Sequence, residues 1–174
     1  MSNKMPEKLI SHRVYLNGKD LLGVAEVQLP DLEAITDTIK GAGIAGEIES
    51  PTPGFYGPLN VTINWRTIDG NVMTLARPMA HHLEFRGAVQ VYDAGLGTYS
   101  VKPQKVLVKA MPKKVGLGKH ASGASQETSN EFECSYIMIS VDGKIRFELD
   151  KFNFKCVVDG VDVLYEVREA LGMN

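Results

Sequence analysis

Four times in this chain a run of alternating apolar and polar residues is closed by an Asn-Gly or Asp-Gly pair: Asn17-Gly18, Asp69-Gly70, Asp142-Gly143 and Asp159-Gly160. A period of two places successive side chains on opposite faces of a strand, so each run reads as a sheet element with one dry and one wet face. Both residues of such a pair tolerate positive φ, which a two-residue hairpin turn demands. The combination predicts a mainly-β chain with antiparallel pairing. In the first run Val14 and Leu16 alternate with Arg13, Tyr15 and Asn17, and a second strand is expected over 21–29, with Ala25, Val27 and Leu29 on one face. Residues 1–9 read as an extended polar lead-in. The cleanest strand is 60–68, where Val61, Ile63 and Trp65 share a face. Strands are also expected over 83–92, 99–111 and 131–141, the last with Cys134 and Tyr136 opposite Ile137 and Ile139. A short helix fits 71–80, truncated or kinked by Pro78.

Residues 141–172 are read as one packed unit. After Asp142-Gly143, Ile145, Phe147 and Leu149 alternate with charged residues, and Phe152, Phe154, Cys156 and Val158 repeat the period. Beyond Asp159-Gly160 the spacing of Val161, Leu164, Val167 and Leu171 turns helical, with Asp162 in the first turn and Gly172 at the C-terminal cap position. A helix over 160–171 is therefore expected, and Leu149, Phe152, Phe154, Val161 and Leu164 are assigned to the core.

Residues 31–58 depart from this pattern. Glycines at 41, 43, 46, 54 and 57 and prolines at 51, 53 and 58 exclude a helix. Yet Ile44, Ile48, Phe55 and Tyr56 are more apolar than a disordered linker carries. Two readings fit: an arm ordered by a neighbouring chain, and a floppy surface loop. A phosphate-binding loop is excluded, because no Lys-Ser/Thr follows the glycines. Residues 112–130, with Gly116, Gly118 and Gly123, read as a mobile loop.

Little here supports catalysis. His81 and His82 would point to opposite faces of a strand, and no Cys-x2-Cys or His-x3-His spacing occurs, so no metal or cofactor is expected. Cys134 and Cys156 fall within strand patterns, as buried reduced thiols do. No Gly-x-Ser-x-Gly elbow is present. The lysines at 102, 105, 109, 113, 114 and 119 make one stretch basic, but no aromatic residue lies among them to stack a base. They read as a solvated strand, or, at Lys113 and Lys114, as charges meeting an acidic arm (Asp31, Glu33, Asp37, Glu47, Glu49) across a subunit boundary. A net charge of -2 at pH 7 gives no global attraction to nucleic acid. The N-terminus lacks the apolar stretch of a secretory signal, and no run approaches the ~20 apolar residues that span a bilayer. At 174 residues a single domain over 1–174 is expected, made in the cytoplasm.

The C-terminal unit carries a resemblance. Its run of Asp142-Gly143-Lys144, Leu149-Asp150-Lys151-Phe152-Asn153-Phe154, Val158, Gly160-Val161-Asp162, Leu164, Val167-Arg168 and Leu171-Gly172 resembles the end of the major tail tube proteins of contractile-tailed phages, a pattern shared by R-type pyocin tube proteins. The match reaches, more loosely, the start of the chain and the Gly-rich stretch after Pro30. It implies two packed antiparallel sheets in a barrel-like sandwich, a C-terminal helix and a long Gly-rich hairpin arm. It implies a structural protein without cofactor, whose hexameric rings stack into a hollow tube that penetrates an envelope and conducts DNA non-specifically. Sheath, baseplate and tail terminator proteins would be its partners, and a virion or phage-like particle built in the host cytoplasm its place. By position, Lys40, Gly41, Ala42, Gly43, Ile44, Ala45, Gly46, Glu47, Ile48 and Glu49 would form the arm that reaches the next ring. A pyocin-like or secretion-type tube and, from another class, a small-molecule-binding β-barrel are the alternatives; a hydrolase would need a polar cluster that the sequence lacks.

Overall fold

The computed structural model describes residues 3–21 and 23–173, the side chain of Ala25 excepted. Met1 and Ser2 of the lead-in, Leu22 of the strand expected over 21–29, and the face assigned to Ala25 therefore lie outside the described residues. The chain is mainly β, and every strand pairing among the described residues is antiparallel. Strands run in the order β1 (Lys4–Leu16), β2 (Lys19–Asp20), β3 (Val24–Gln28), β4 (Ala34–Lys40), β5 (Glu47–Tyr56) and β6 (Asn60–Trp65). After helix α1 (Gly70–Leu75) come β7 (His81–Asp93), β8 (Thr98–Gly116), β9 (Thr128–Val141), β10 (Lys144–Asp150), β11 (Lys155–Val158) and β12 (Val161–Asp162), then helix α2 (Tyr165–Ala170).

Ten strands form one sheet along the path β12-β11-β10-β9-β8-β7-β1-β2, with β6 and β3 branching from β9. The branch point has a local cause. One edge of β9 pairs with β8, whereas the other edge is divided: its first half, Thr128 to Glu133, takes β6, and its second half, Tyr136 to Val141, takes β10. Between the halves lies a bulge, since Lys109 faces Tyr136 while its neighbour Ala110 faces Cys134, leaving Ser135 unpaired in the register. Residues from both branches meet in one core with β1, β7, β8 and α1, including Val14, Ile63, Trp65, Leu75, Leu83, Val108, Phe132, Ile137, Leu149 and Leu164. The sheet does not close into a barrel: β12 and β2 are separate edges.

Three of the four pairs make hairpin turns as their chemistry predicts, Asp159-Gly160 among them. Asp69 instead has φ -136° and caps α1, its carboxylate accepting from the Asn71 and Val72 N–H groups. Asn17 and Gly18 have φ 50° and 80° and join Leu16 to Lys19; Asp142 and Gly143 have φ 53° and 78° and join Val141 to Lys144. The first hairpin is short, however. The chain leaves β1 after Leu21, whose N–H donates to the Val14 carbonyl, and β3 pairs with β6 instead. The lead-in is strand from Lys4 onward, paired along β7.

Three further expectations are corrected. The loop over 112–130 narrows to 117–127, because β8 continues to Gly116 and β9 begins at Thr128. The helix over 160–171 covers only Tyr165–Ala170: Val161 and Asp162 pair back onto β11, and Asp162 turns its carboxylate to Arg168. Its end is as expected, with Gly172 at φ 69° and Met173 N–H donating to the Arg168 carbonyl, the hydrogen-bond pattern of a Schellman cap. Finally, Leu149 and Leu164 are core, but Phe152 is 82% exposed in the turn before β11, Val161 is 65% exposed on the edge strand, and Phe154 is half-buried.

Candidate functional site

Residues 34–56 build a two-stranded sheet of their own, β4 against β5, hydrogen-bonded to no other strand among the described residues. Lys40 closes β4 opposite Glu47, their charges 4.0 Å apart, and Gly41, Ala42, Gly43, Ile44, Ala45 and Gly46 form the tip between them. Positive φ at Gly41, Gly43 and Gly46 lets the chain reverse there without a side-chain clash. Ile48 and Glu49 lie at the start of β5, facing Ile39 and Thr38. Ile35, Ile39 and Ile48 are all about half exposed, at 49%, 45% and 54%. A β-branched hairpin with no core beneath it gains little from folding by itself, because two strands alone bury too little apolar surface. The stretch is a regular two-stranded hairpin and not a loop without secondary structure.

The root of the arm is anchored on the C-terminal unit. Tyr56 meets Phe147 edge-to-face at 5.6 Å between centroids, and Phe55 meets Phe154 the same way at 6.2 Å. Lys151 Nζ donates to the Gly57 carbonyl at 2.8 Å, and Gly57 N–H donates to the Glu33 carbonyl across the root at 2.9 Å. Burial raises the Tyr56 phenol above its usual range.

Besides the short edges of β2, β3 and β12, long edge stretches of β1 and β8 in the ten-stranded sheet have no partner among the described residues. The outer edge of β1 is paired at Tyr15 and Leu16 by β2, and its Val14 carbonyl accepts from the Leu21 N–H, which leaves the run from Lys4 to Arg13 open. On β8, pairing with β9 begins at Gln104, so Thr98 to Lys102 bond β7 alone. The side chains along these edges include exposed Met5, Ile10, Tyr99 and Val101. Open, partly apolar edges are places where another chain adds a strand.

The basic stretch lies mostly along β8, and Lys102, Lys105 and Lys114 each stand near a carboxylate of a neighbouring strand or turn. Lys102 pairs with Asp142 at 2.8 Å and holds that carboxyl below its usual range. Lys105 lies 3.5 Å from Glu84, whose carboxyl is lowered chiefly by its hydrogen bond from Arg86. Lys109 sits over the Tyr136 ring, whose phenol is pushed up to about 12 by burial and by its hydrogen bond to Glu148. Lys113 donates to Asn60 Oδ1 at 2.9 Å, and Lys114 stands 4.0 Å from Glu131.

The histidines and cysteines do not converge. His81 is buried with its Nε2 3.1 Å from the Arg77 carbonyl, to which it donates, while His82 is exposed on the other face. Burial pushes the Cys134 thiol up to about 12, the reverse of what an activated nucleophile needs. No three His, Cys, Asp or Glu side chains among the described residues are placed to hold a metal ion.

An exposed β-arm and open strand edges are surfaces on which another chain can pair, and among the described residues no metal-holding cluster converges. Comparison with known families agrees: the family model described as phage tail tube protein FII matches residues 6–172. The chain belongs to that family. A curated relative, the tail tube protein of Escherichia phage P2, is 28% identical over 176 residues, covering 97% of this chain and 99% of the relative. In fold, this tail tube chain is similar to a solved structure, the sheath/tube terminator of an extracellular contractile injection system, with a TM-score of 0.54 over 78% of the chain and 97% of the terminator, at 12% identity. Phage tail tube proteins are structural, so the chain is not an enzyme and is a component of a virion or phage-like particle.

Sequence reasoning found the arm but missed two parts of this surface. The β1 edge was hidden because residues 1–9 look merely polar; the signal was Pro6, since a proline inside a strand marks an edge. The seat for the arm root was invisible because Gly54 and Leu164 are 110 residues apart, and no periodicity joins them.

Proposed function

We infer that this chain forms hexameric rings that stack into the hollow inner tube of a contractile tail. The observation that carries the reading is the β4–β5 arm: a formed hairpin, paired to no other strand of its own subunit among the described residues, with three exposed isoleucines and a glycine tip. Lys40, Gly41, Ala42, Gly43, Ile44, Ala45, Gly46, Glu47, Ile48 and Glu49 reach the adjacent ring, where burial of the isoleucines supplies what a lone hairpin lacks. The open edges of β1 and of β8 support lateral contact within a ring, because a head-to-tail contact of two different edges closes when the rotation permits. Lys113 and Lys114 face the acidic side chains of a neighbouring arm.

The tube penetrates the target envelope and conducts DNA, with sheath, baseplate and terminator proteins as partners, and it assembles in the host cytoplasm. Its function is mechanical and geometric. The test is deletion of residues 40–46 followed by negative-stain electron microscopy over a concentration series. The deletion leaves a folded subunit that fails to stack; tubes of normal length from it would sink the reading.

A further inference from the structure

The root of the arm rests on two walls. One is Leu164: a Cβ built on Gly54, whose φ is 78°, would lie 2.7 Å from both Cγ and Cδ2 of that leucine. The other is the 151–154 turn, through Phe154 against Phe55. Beside this contact Phe55, Tyr56, Leu149, Lys151, Phe154 and Leu164 line an open-sided pocket of about 140 Å³, so the root is in close contact on one side and has open space on the other.

A single ion pair ties both walls together. Asp162 Oδ1 accepts from the Leu164 N–H at 3.2 Å, which fixes the first wall. Arg168 grips the same carboxylate with Nη1 at 3.2 Å and Nη2 at 2.6 Å, and its Nη1 also donates to the Phe154 carbonyl at 3.0 Å, which fixes the second. Phe154 itself has φ 49°, a conformation that a non-glycine residue holds only when its surroundings impose it. A planar guanidinium carries several donors in fixed directions and suits this double duty; an ammonium is a point charge and does not.

We propose that Asp162 and Arg168 form a clamp that sets the direction in which the β4–β5 arm leaves the subunit, acting through Leu164 and Phe154 as positioning residues. With the clamp closed, root and seat are one unit. With it open, the neighbouring pocket gives the root space to shift, and the arm samples several directions. The consequence for assembly rests on the stacking role proposed for the arm; the clamp itself does not.

The experiment uses the unassembled subunit, held at low concentration. Nitroxide labels are placed on Ala42→Cys at the arm tip and Leu96→Cys on the body, and the distance between them is read by pulsed electron resonance. Cys134 and Cys156 are buried, so labelling is confined to the new cysteines. The wild-type background gives one narrow distance peak. Asp162→Asn, which removes the charge and keeps the size, is expected to lose that single peak to a broad distribution, with unchanged near-ultraviolet circular dichroism. Arg168→Lys, which keeps the charge but not the fork, gives the same loss if Asp162→Asn does not fold. A narrow wild-type-like peak in either folded variant overturns the proposal. The 40–46 deletion, scored separately for stacking, keeps the two readings distinct. A broadened peak with a deletion that still stacks leaves the clamp standing and removes the arm's role, and a narrow peak with a deletion that fails to stack does the reverse.

Discussion

Trp65 donates its indole N–H to Asn130 Oδ1 at 2.8 Å, and the amide of Asn130 donates in turn to the Val72 carbonyl at 3.3 Å. Three elements, β6, β9 and α1, are pinned by one fully buried side chain. A buried polar group is tolerated only when paired, and here the pairing also fixes the angle at which α1 lies on the sheet.

Asn130→Ala leaves the indole N–H and the Val72 carbonyl buried without partners. The expected loss is about 2–3 kcal/mol of subunit stability, read as a lower urea midpoint at unchanged slope. A variant as stable as the parent would mean that water or repacking replaces both bonds.

Gly54→Ala meets two penalties at once: a non-glycine residue at φ 78° and a methyl group pressed against Leu164. Together they amount to about 2–4 kcal/mol. Adding Leu164→Ala removes the clash but not the backbone strain, so the double variant loses less than the sum of the two single losses. Strict additivity in the cycle would show that the two residues do not sense one another.

Leu149 and Phe152 are three residues apart and similarly apolar, yet they differ in exposure from 1% to 82%. Leu149→Ala should cost about 2–5 kcal/mol, and Phe152→Ala should stay within about 0.5 kcal/mol of the parent in the unassembled subunit. Thermal melts of the two variants at low concentration distinguish them directly.

That contrast shows where the sequence was legible. Alternation gave β6 correctly, because Val61, Ile63 and Trp65 face one uninterrupted core. It misplaced Phe152 and Phe154, because the 151–154 turn breaks the period before β11 begins. It put Cys134 and Ile137 on opposite faces, whereas the bulge at Ser135 shifts the parity and brings both into the core, each 1% exposed. The prolines of β8 mark where its two neighbours begin and end. Pro103 lies just before pairing with β9 begins, and Pro112 lies just after pairing with β7 ends, so each sits where the strand has a single neighbour and its missing N–H is tolerated. The arm's glycines and prolines announced an irregular stretch, and the cross-strand pairing of Ile39 with Ile48 was the part that composition could not show.

Acid should act on the Asp162 clamp in a defined direction. The hydrogen bond from Arg168 holds the Asp162 carboxyl below its ordinary value, against an opposing push from burial. The unfolded chain, with an ordinary carboxylate near about 3.9, therefore binds a proton first as pH falls. The stabilisation from this pair is complete above that value and is lost as pH drops through the lower folded-state value. Asp142 beside Lys102 and Glu84 beside Arg86 carry the same sign. Urea midpoints between pH 7 and pH 3 should decline toward acid, and Asp162→Asn should flatten the decline. An identical slope in the variant would exclude this pair as a contributor.

Charge reversal at Lys113 and Lys114 addresses the contact between subunits. Lys114 is 67% exposed and only 4.0 Å from Glu131, so its local pair is weak and its charge is available to a neighbour. If the acidic side chains of an adjacent arm (Asp31, Glu33, Asp37, Glu47, Glu49) lie within reach, Lys113→Glu with Lys114→Glu converts attraction into repulsion. Such exposed charges are screened over about 10 Å at 0.1 M salt and about 3 Å at 1 M. The variant should therefore form tubes poorly in dilute buffer and approach the parent as salt rises, with subunit melting temperature as the control for folding. Equal tube yield at low salt, with the parent's salt dependence, would place these lysines outside the assembly contact.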